Sequence, residues 1–165
     1  MHRRIAATLA VLVGCLCTAA IAFGLPPFST APKSAGGSGG QAELYRLTAA
    51  CHATFDRLVI RARFGTPGYD VRYVARIVHD PSGNTVSLPG AAKIHVVMRP
   101  ARGHTSGGAP LLPSVVTPHC PNLLQVKSAG DFEGVVSLGL GIRHKTGFRV
   151  FRLTGPRRLV IDIAH

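Results

Sequence analysis

The stretch GFRVFRLTGPRRLVIDIAH, residues 147–165, alternates apolar and charged positions twice over, with Thr-Gly-Pro between the two runs. In the first run Phe148, Val150 and Leu153 alternate with Arg149 and Arg152; in the second, Leu159, Ile161 and Ile163 are set against Arg158, Val160 and Asp162. A period of two places successive side chains on opposite faces of an extended chain, and the intervening Gly-Pro supplies a tight turn. The stretch therefore predicts an antiparallel pair whose apolar residues face a core and whose arginines stand outside. Read this way, the last residues of the chain form a structural strand.

The same signal recurs upstream. In TFDRLVIRARF (54–64) the apolar set is Leu58, Ile60, Ala62 and Phe64, opposed by Arg57, Arg61 and Arg63. In YDVRYVARIVHD (69–80) Tyr69, Val71, Tyr73, Ala75 and Ile77 read as inward, with Asp70, Arg72 and Arg76 outward. The intervening TPGY is a turn by its Pro67 and Gly68, so the two runs read as a hairpin. DPSGN (80–84) is a second turn, before a short strand near residues 85–88, and AAKIHVVMRPA places Ala92, Ile94, Val96 and Met98 inward. Residues 102–122 hold four prolines and three glycines without a sustained period and read as one long loop. Residues 43–52 read as a short helix or irregular turn. The expected fold is an all-β antiparallel sandwich of about seven or eight strands with one long loop, its core built on Leu58, Ile60, Tyr73, Ile77, Ile94, Val96, Val150, Leu159 and Ile161.

Residues 1–24 form a basic start, MHRR, followed by an uncharged apolar run, the pattern of an export signal. Three endings are open. Ala20 and Ala22 fit peptidase cleavage after Ala22; LVGC resembles a lipobox, making Cys15 a lipidation candidate; and residues 5–25 are long enough for an anchor, which needs ~20 residues. Each ending places the body outside the cytoplasm, which argues against nucleic acid as a partner. Residues 25–42, rich in Pro, Gly and Ser, read as a flexible linker to a domain at 43–165. In an oxidising compartment Cys51 and Cys120 are expected to pair. The neighbouring His52 and His119 make a weak metal pattern, because adjacent residues on an extended chain point opposite ways, so no metal or other cofactor is expected.

Formal net charge is +12, and removing Arg3, Arg4 and Lys33 from the 19 Lys and Arg residues leaves 16 cations against 7 acids. The surplus belongs to the body and suits an anionic partner. Arg57, Arg61, Arg63, Arg72 and Arg76 are the densest cluster and the candidate ligand-binding residues. Asp56, Asp70 and Asp162 lie among arginines and are expected to pair with them across strands. The scattered histidines form no nucleophile-base pattern, so an enzyme is not expected. Asp131 and Glu133 in GDFEG are two apart, a spacing that could serve glycoside cleavage or a cation, and hydrogen bonds from turn amides or pairing with nearby arginines are the better reading.

The ordered segments FDRLVI, PGYDVRYV, GDFEG (130–134), LGLGI, FRVFRL and PRRLVIDI (156–163) resemble the AMIN-like domain of exported actinobacterial proteins, a relative of the amidase N-terminal domain. The resemblance covers most of residues 55–165. It implies a β-sandwich in the cell envelope that binds peptidoglycan or another wall component; the charge surplus adds an acidic glycan as a candidate partner, and the N-terminal segment a membrane tether. A protein-binding regulator of a separate wall enzyme and an exported hydrolase are the alternatives.

Overall fold

A computed structural model describes residues 24–165, which contain eleven strands and no helix. In chain order these are β1 (Lys33–Ala35), β2 (Ala42–Cys51), β3 (Phe55–Arg63), β4 (Gly68–Val74), β5 (Ala92–Arg99), β6 (Ala101–Arg102), β7 (Val115–Val116), β8 (Leu123–Phe132), β9 (Val135–Ile142), β10 (Phe148–Thr154) and β11 (Arg157–Ala164). Eight of them are seven residues or longer; β1, β6 and β7 are short additions at sheet edges. A six-stranded sheet, ordered β1-β4-β5-β9-β8-β7, packs on a five-stranded sheet, ordered β10-β11-β3-β2-β6. The class is the sandwich expected from alternation. The apolar run after the export start, the cleavage after Ala22 and Cys15 lie outside the described residues.

The inward sets form the core between the sheets. Leu58, Ile60, Ile94, Val96, Val150, Leu159 and Ile161 are all buried, and the half-buried Tyr73 packs against them with its hydroxyl donating to the Thr146 carbonyl at 2.8 Å. Ile77 departs from the expected pattern. β4 ends at Val74, and the chain from 75 to 91 crosses the outer face of the six-stranded sheet, where Ile77, Val86, Leu88 and Ala129 form a second, smaller core. Gly139 makes that crossing possible, since a Cβ there would lie 2.8 Å from Leu88 Cδ1 and 3.1 Å from the Ile77 side chain. Residues 85–88 join this cover through a single bridge from Thr85 to Val78 and are not a strand.

Three further expectations are overturned. Residues 43–52 are not helix or turn: all but His52 belong to β2, whose alternation is hidden by a bulge between Leu44 and Arg46 that leaves Tyr45 as an extra residue. The turn after Arg63 does not make a hairpin: β3 pairs with β2 and β11, whereas β4 pairs with β1 and β5 in the other sheet. Phe64 accordingly leaves the core. It sits at φ +68° while the Gly65 N–H donates to the Arg63 carbonyl at 2.9 Å, a one-residue γ-turn that turns the ring out to 66 % exposure. A non-glycine residue held there costs about 1–3 kcal/mol.

Residues 25–42 also differ from a flexible linker. Ser29 exchanges two backbone hydrogen bonds with Phe148 at the edge of the five-stranded sheet, and β1 then pairs with β4 at the edge of the other. The segment thus straps one open side of the sandwich. Arg152 seals the strap. Its side chain is on the inward parity of β10, not the outward one expected, and at this open edge Nη2 donates to the carbonyls of Gly36 and Pro67 at 2.7 Å each.

At one end of the sandwich the sheets are tied by polar groups. Asp56 is fully buried on the inward parity of β3, and its Oδ2 accepts the backbone N–H groups of Asn122 (2.7 Å) and Leu123 (2.6 Å) at the start of β8. It therefore bonds backbone amides of the opposite sheet in place of an arginine. Asn122 extends the knot, its Nδ2 donating to Thr146 Oγ1 and the Ala164 carbonyl at 2.8 Å each. The Cys51–Cys120 disulfide stands beside it, with Cα atoms 5.3 Å apart and Cys51 opposite Asp56 in the ladder.

Two outcomes follow from this arrangement. Because β11 lies between β10 and β3 and supplies Leu159, Ile161 and Ile163 to the core, deleting residues 157–165 abolishes the cooperative thermal melt and the β-sheet circular dichroism. The disulfide closes 69 residues of separation, so the Cys51→Ser/Cys120→Ser variant loses about 2–4 kcal/mol in denaturant unfolding, and non-reducing peptide mapping of the exported protein recovers the linked pair.

Candidate functional site

The outer face of the five-stranded sheet is built as successive rungs, because register places residues of β10, β11, β3 and β2 side by side. The first rung is Arg149, Asp162, Arg57 and Ala50. Asp162 is fully buried beneath the two arginines; Arg57 donates to it through Nε at 2.6 Å and Nη2 at 2.9 Å, and Arg149 through Nε at 2.8 Å. Burial pushes the Asp162 carboxyl up, but the hydrogen bonds from Arg57 and Arg149 outweigh it and hold the group below the usual carboxylate range. Both guanidiniums are also committed to aromatic rings. Arg149 lies 4.4 Å from the Phe28 centroid and Arg57 5.0 Å from that of Phe55.

The second rung, Phe151, Val160, Val59 and Thr48, is apolar apart from its threonine. The third is Leu153, Arg158, Arg61 and Arg46, three arginines on three adjacent strands with no carboxylate paired to any of them among the described residues. Arg158 bonds only carbonyls of its own turn, and the buried Arg61 Nε has no hydrogen-bond partner. Like charges directly opposite one another destabilise a sheet. At the β6 side Glu43, 4 % exposed, accepts Arg63 Nε at 2.6 Å and Arg102 Nη2 at 2.7 Å, and these two bonds hold its carboxyl below the usual range.

The five arginines selected from sequence are consequently divided. Arg57, Arg61 and Arg63 share this face, but Arg57 is bound to Asp162 and Arg63 to Glu43. Arg72 is on the six-stranded sheet, bonded to Asp70 of its own strand at 2.6 Å through each of two nitrogens, and Arg76 is exposed in the crossing that follows β4. Arg46 and Arg158, which stand beside Arg61 in the unpaired rung, are not picked out by the sequence pattern. The bulge concealed the first, and only the non-local β11–β3 register brings the second beside Arg61.

Asp131 and Glu133 do not converge. Asp131 Oδ2 accepts the Gly103 N–H at 3.0 Å and the His104 Nδ1–H at 2.7 Å, fixing the start of the long loop. Glu133 is exposed at the β8–β9 turn, where it and Gly134 take φ of +47° and +78° in a two-residue hairpin connection. A cleft of about 300 Å³ on the six-stranded sheet is lined by Ser137, His95 and Asp80 among valines and Pro81, but no hydrogen bond joins these three. Burial lowers the His95 pKa. Cys51, Asp56 and Cys120 cluster, but the sulfurs are consumed in the disulfide; His52 stacks on Phe55, centroids 4.5 Å apart.

Fold and surface together define a disulfide-bridged β-sandwich module with a basic sheet face, without a converging set of catalytic groups among the described residues. By sequence comparison the AMIN-like domain family matches over residues 42–165, most of the chain, and the protein belongs to that family. No curated protein and no solved structure matches it. The domain points to a cell-wall-associated module, and the domain together with the disulfide to an extracytoplasmic location.

Asp162 and Glu43 titrate below their unfolded values of about 3.9 and 4.3, so their stabilisation is fully present above those values and is lost as pH falls through the lower folded ones. Stability measured by denaturant therefore falls below about pH 4 through these two groups, and a separate decline begins as pH drops below about 6.5, where His95, kept neutral by burial, charges more readily in the unfolded chain. Asp162→Asn leaves two arginines without their partner, costs about 3 kcal/mol at pH 7 and makes the acid decline shallower.

Proposed function

We propose that this protein is a non-catalytic binding module of the cell envelope that holds an anionic wall polymer, peptidoglycan or an acidic glycan, on the outer face of its five-stranded sheet. The carrying observation is the third rung. Arg46, Arg61 and Arg158 stand side by side without a carboxylate, an arrangement that costs stability in the free protein and is relieved when an external anion lies across it. The neighbouring rungs support the reading: Arg57 and Arg149 are neutralised in part by Asp162, and Phe151, Val160 and Val59 offer an apolar strip beside the charges. Membrane tethering through the N-terminal segment would keep such a module at the wall's inner side.

The regulator and hydrolase alternatives have less behind them. The sheet edges are short at β1, β6 and β7, and Ser29 covers the start of β10; Ser137, His95 and Asp80 are not linked as a nucleophile, base and orienting acid require.

Purified protein is retained on isolated cell walls at low salt and released as salt rises, because the Debye length falls from ~10 Å at 0.1 M to ~3 Å at 1 M. Replacing Arg46, Arg61 and Arg158 together by Gln lowers retention at least about tenfold and leaves the melting midpoint unchanged or higher, since the like-charge rung is removed. Retention that is indifferent to salt and to these substitutions would defeat the charge-driven reading.

A further inference from the structure

We propose that Phe64, Tyr45 and the Arg63 guanidinium form a saccharide-stacking subsite that takes the apolar face of a sugar ring; the proposal rests on the wall-binding reading and names the chemistry of one part of the ligand. Two separate backbone irregularities converge on this spot. The bulge between Leu44 and Arg46 sets Tyr45 outside the regular pairing of β2, and the γ-turn at Phe64 turns its ring away from the core. Both rings meet the same guanidinium, whose central carbon lies 5.6 Å from the Tyr45 centroid and 5.3 Å from that of Phe64.

The guanidinium is held in place. Glu43, buried and shared with Arg102, anchors Arg63, while 53 % of the Arg63 side chain is exposed. Phe64 itself has no packing duty that explains it: at 66 % it is the most exposed large apolar residue among those described, at a φ that glycine adopts without strain. An aromatic ring kept at a strained, exposed position points to contact with a ligand.

The ligand class follows from size and chemistry. A protein partner is recognised through a contiguous apolar patch of several hundred Å², whereas this patch is two rings and a cation. A pyranose ring fits such a patch, since its axial C–H groups carry the partial positive charge that an aromatic face attracts and its hydroxyls accept from a guanidinium. Position completes the argument. Arg61 is two residues from Arg63 on the same face of β3, ~7 Å away, and Arg46 directly follows Tyr45, so a sugar stacked on Phe64 would present its acidic substituents to the unneutralised rung.

The test uses the purified protein, a neutral β-1,4-linked N-acetylglucosamine tetramer as probe, and the variants Phe64→Gly and Tyr45→Ala. The tetramer is expected to shift the amide resonances of Tyr45, Arg63, Phe64 and Gly65, with no dependence on salt or on the Gln replacement of Arg46, Arg61 and Arg158. Phe64→Gly is expected to abolish those shifts and lower retention on walls at least about fivefold, with a melting midpoint equal to or a few degrees above that of the parent. Tyr45→Ala is expected to weaken tetramer binding in the same direction. Absence of tetramer shifts at these amides, or equal binding by parent and Phe64→Gly, overturns the proposal, as does a lowered midpoint with retention unchanged, which would make Phe64 structural. In the parent protein, absent tetramer binding alongside salt-sensitive wall retention overturns the stacking subsite alone, whereas tetramer binding that Phe64→Gly abolishes, together with salt-insensitive retention, supports it and removes the charged rung.

Discussion

The sandwich depends on a single buried carboxylate. Asp56 reaches from the inward face of β3 to two consecutive backbone N–H groups at the start of β8, those of Asn122 and Leu123. A carboxylate that accepts such bonds contributes more than a neutral acceptor, and its removal would strand two buried donors. The rest of that end is arranged around it. Cys51 faces Asp56 across β2 and β3, Cys120 precedes Asn122 by two residues, and Asn122 holds Thr146 and the Ala164 carbonyl, so covalent and polar ties connect β2, β3, β8 and β11 at one place.

With that end fixed, the register of β11 between β10 and β3 decides which charges meet. Asp162 falls between Arg149 and Arg57, whereas two rungs away Arg158 falls beside Arg61 with no acid in reach. A shift of two residues in this pairing would set Asp162 opposite Val59 or Phe55 and part it from Arg57 while leaving every apolar residue facing the core. The pattern of charge on the outer face is therefore set by pairing and not by hydrophobic burial, and the polar knot at Asp56 helps fix it by holding the ends of β3 and β11 together.

Alternation made the class and most of the core legible: the inward residues of β3, β5, β10 and β11 stand where a period of two puts them. What was not legible has local causes. Tyr45 breaks the period of β2 by one residue, which erases the strand signal in a ten-residue element. Thr66, Pro67 and Gly68 have turn composition, but composition does not tell a turn within one sheet from a passage between two, so β3 and β4 read as partners when they are in different layers. Ile77 satisfied the inward parity and was buried, yet on the opposite side of its sheet, because its place depends on Gly139, more than sixty residues away. The candidate arginines suffered most. A charge cluster in sequence becomes a site only through cross-strand register, and register between β11 and β3 is invisible to local pattern.

The strap from Ser29 to β1 has a mechanical meaning for any pull applied to the domain from its N-terminal side. A pull transmitted through residue 24 loads the Ser29–Phe148 bridge and then the three pairs of β1 with β4, which open one after another. Unravelling past β1 would have to strip β2 from β3, a ladder of eight pairs in the interior of the five-stranded sheet. It would then stop at Cys51, whose covalent link to Cys120 passes the load to the other sheet. The chain ahead of that link spans at most about 90–100 Å when fully extended, so the disulfide sets the length to which the domain can be drawn out before its remaining strands are loaded from both sheets at once.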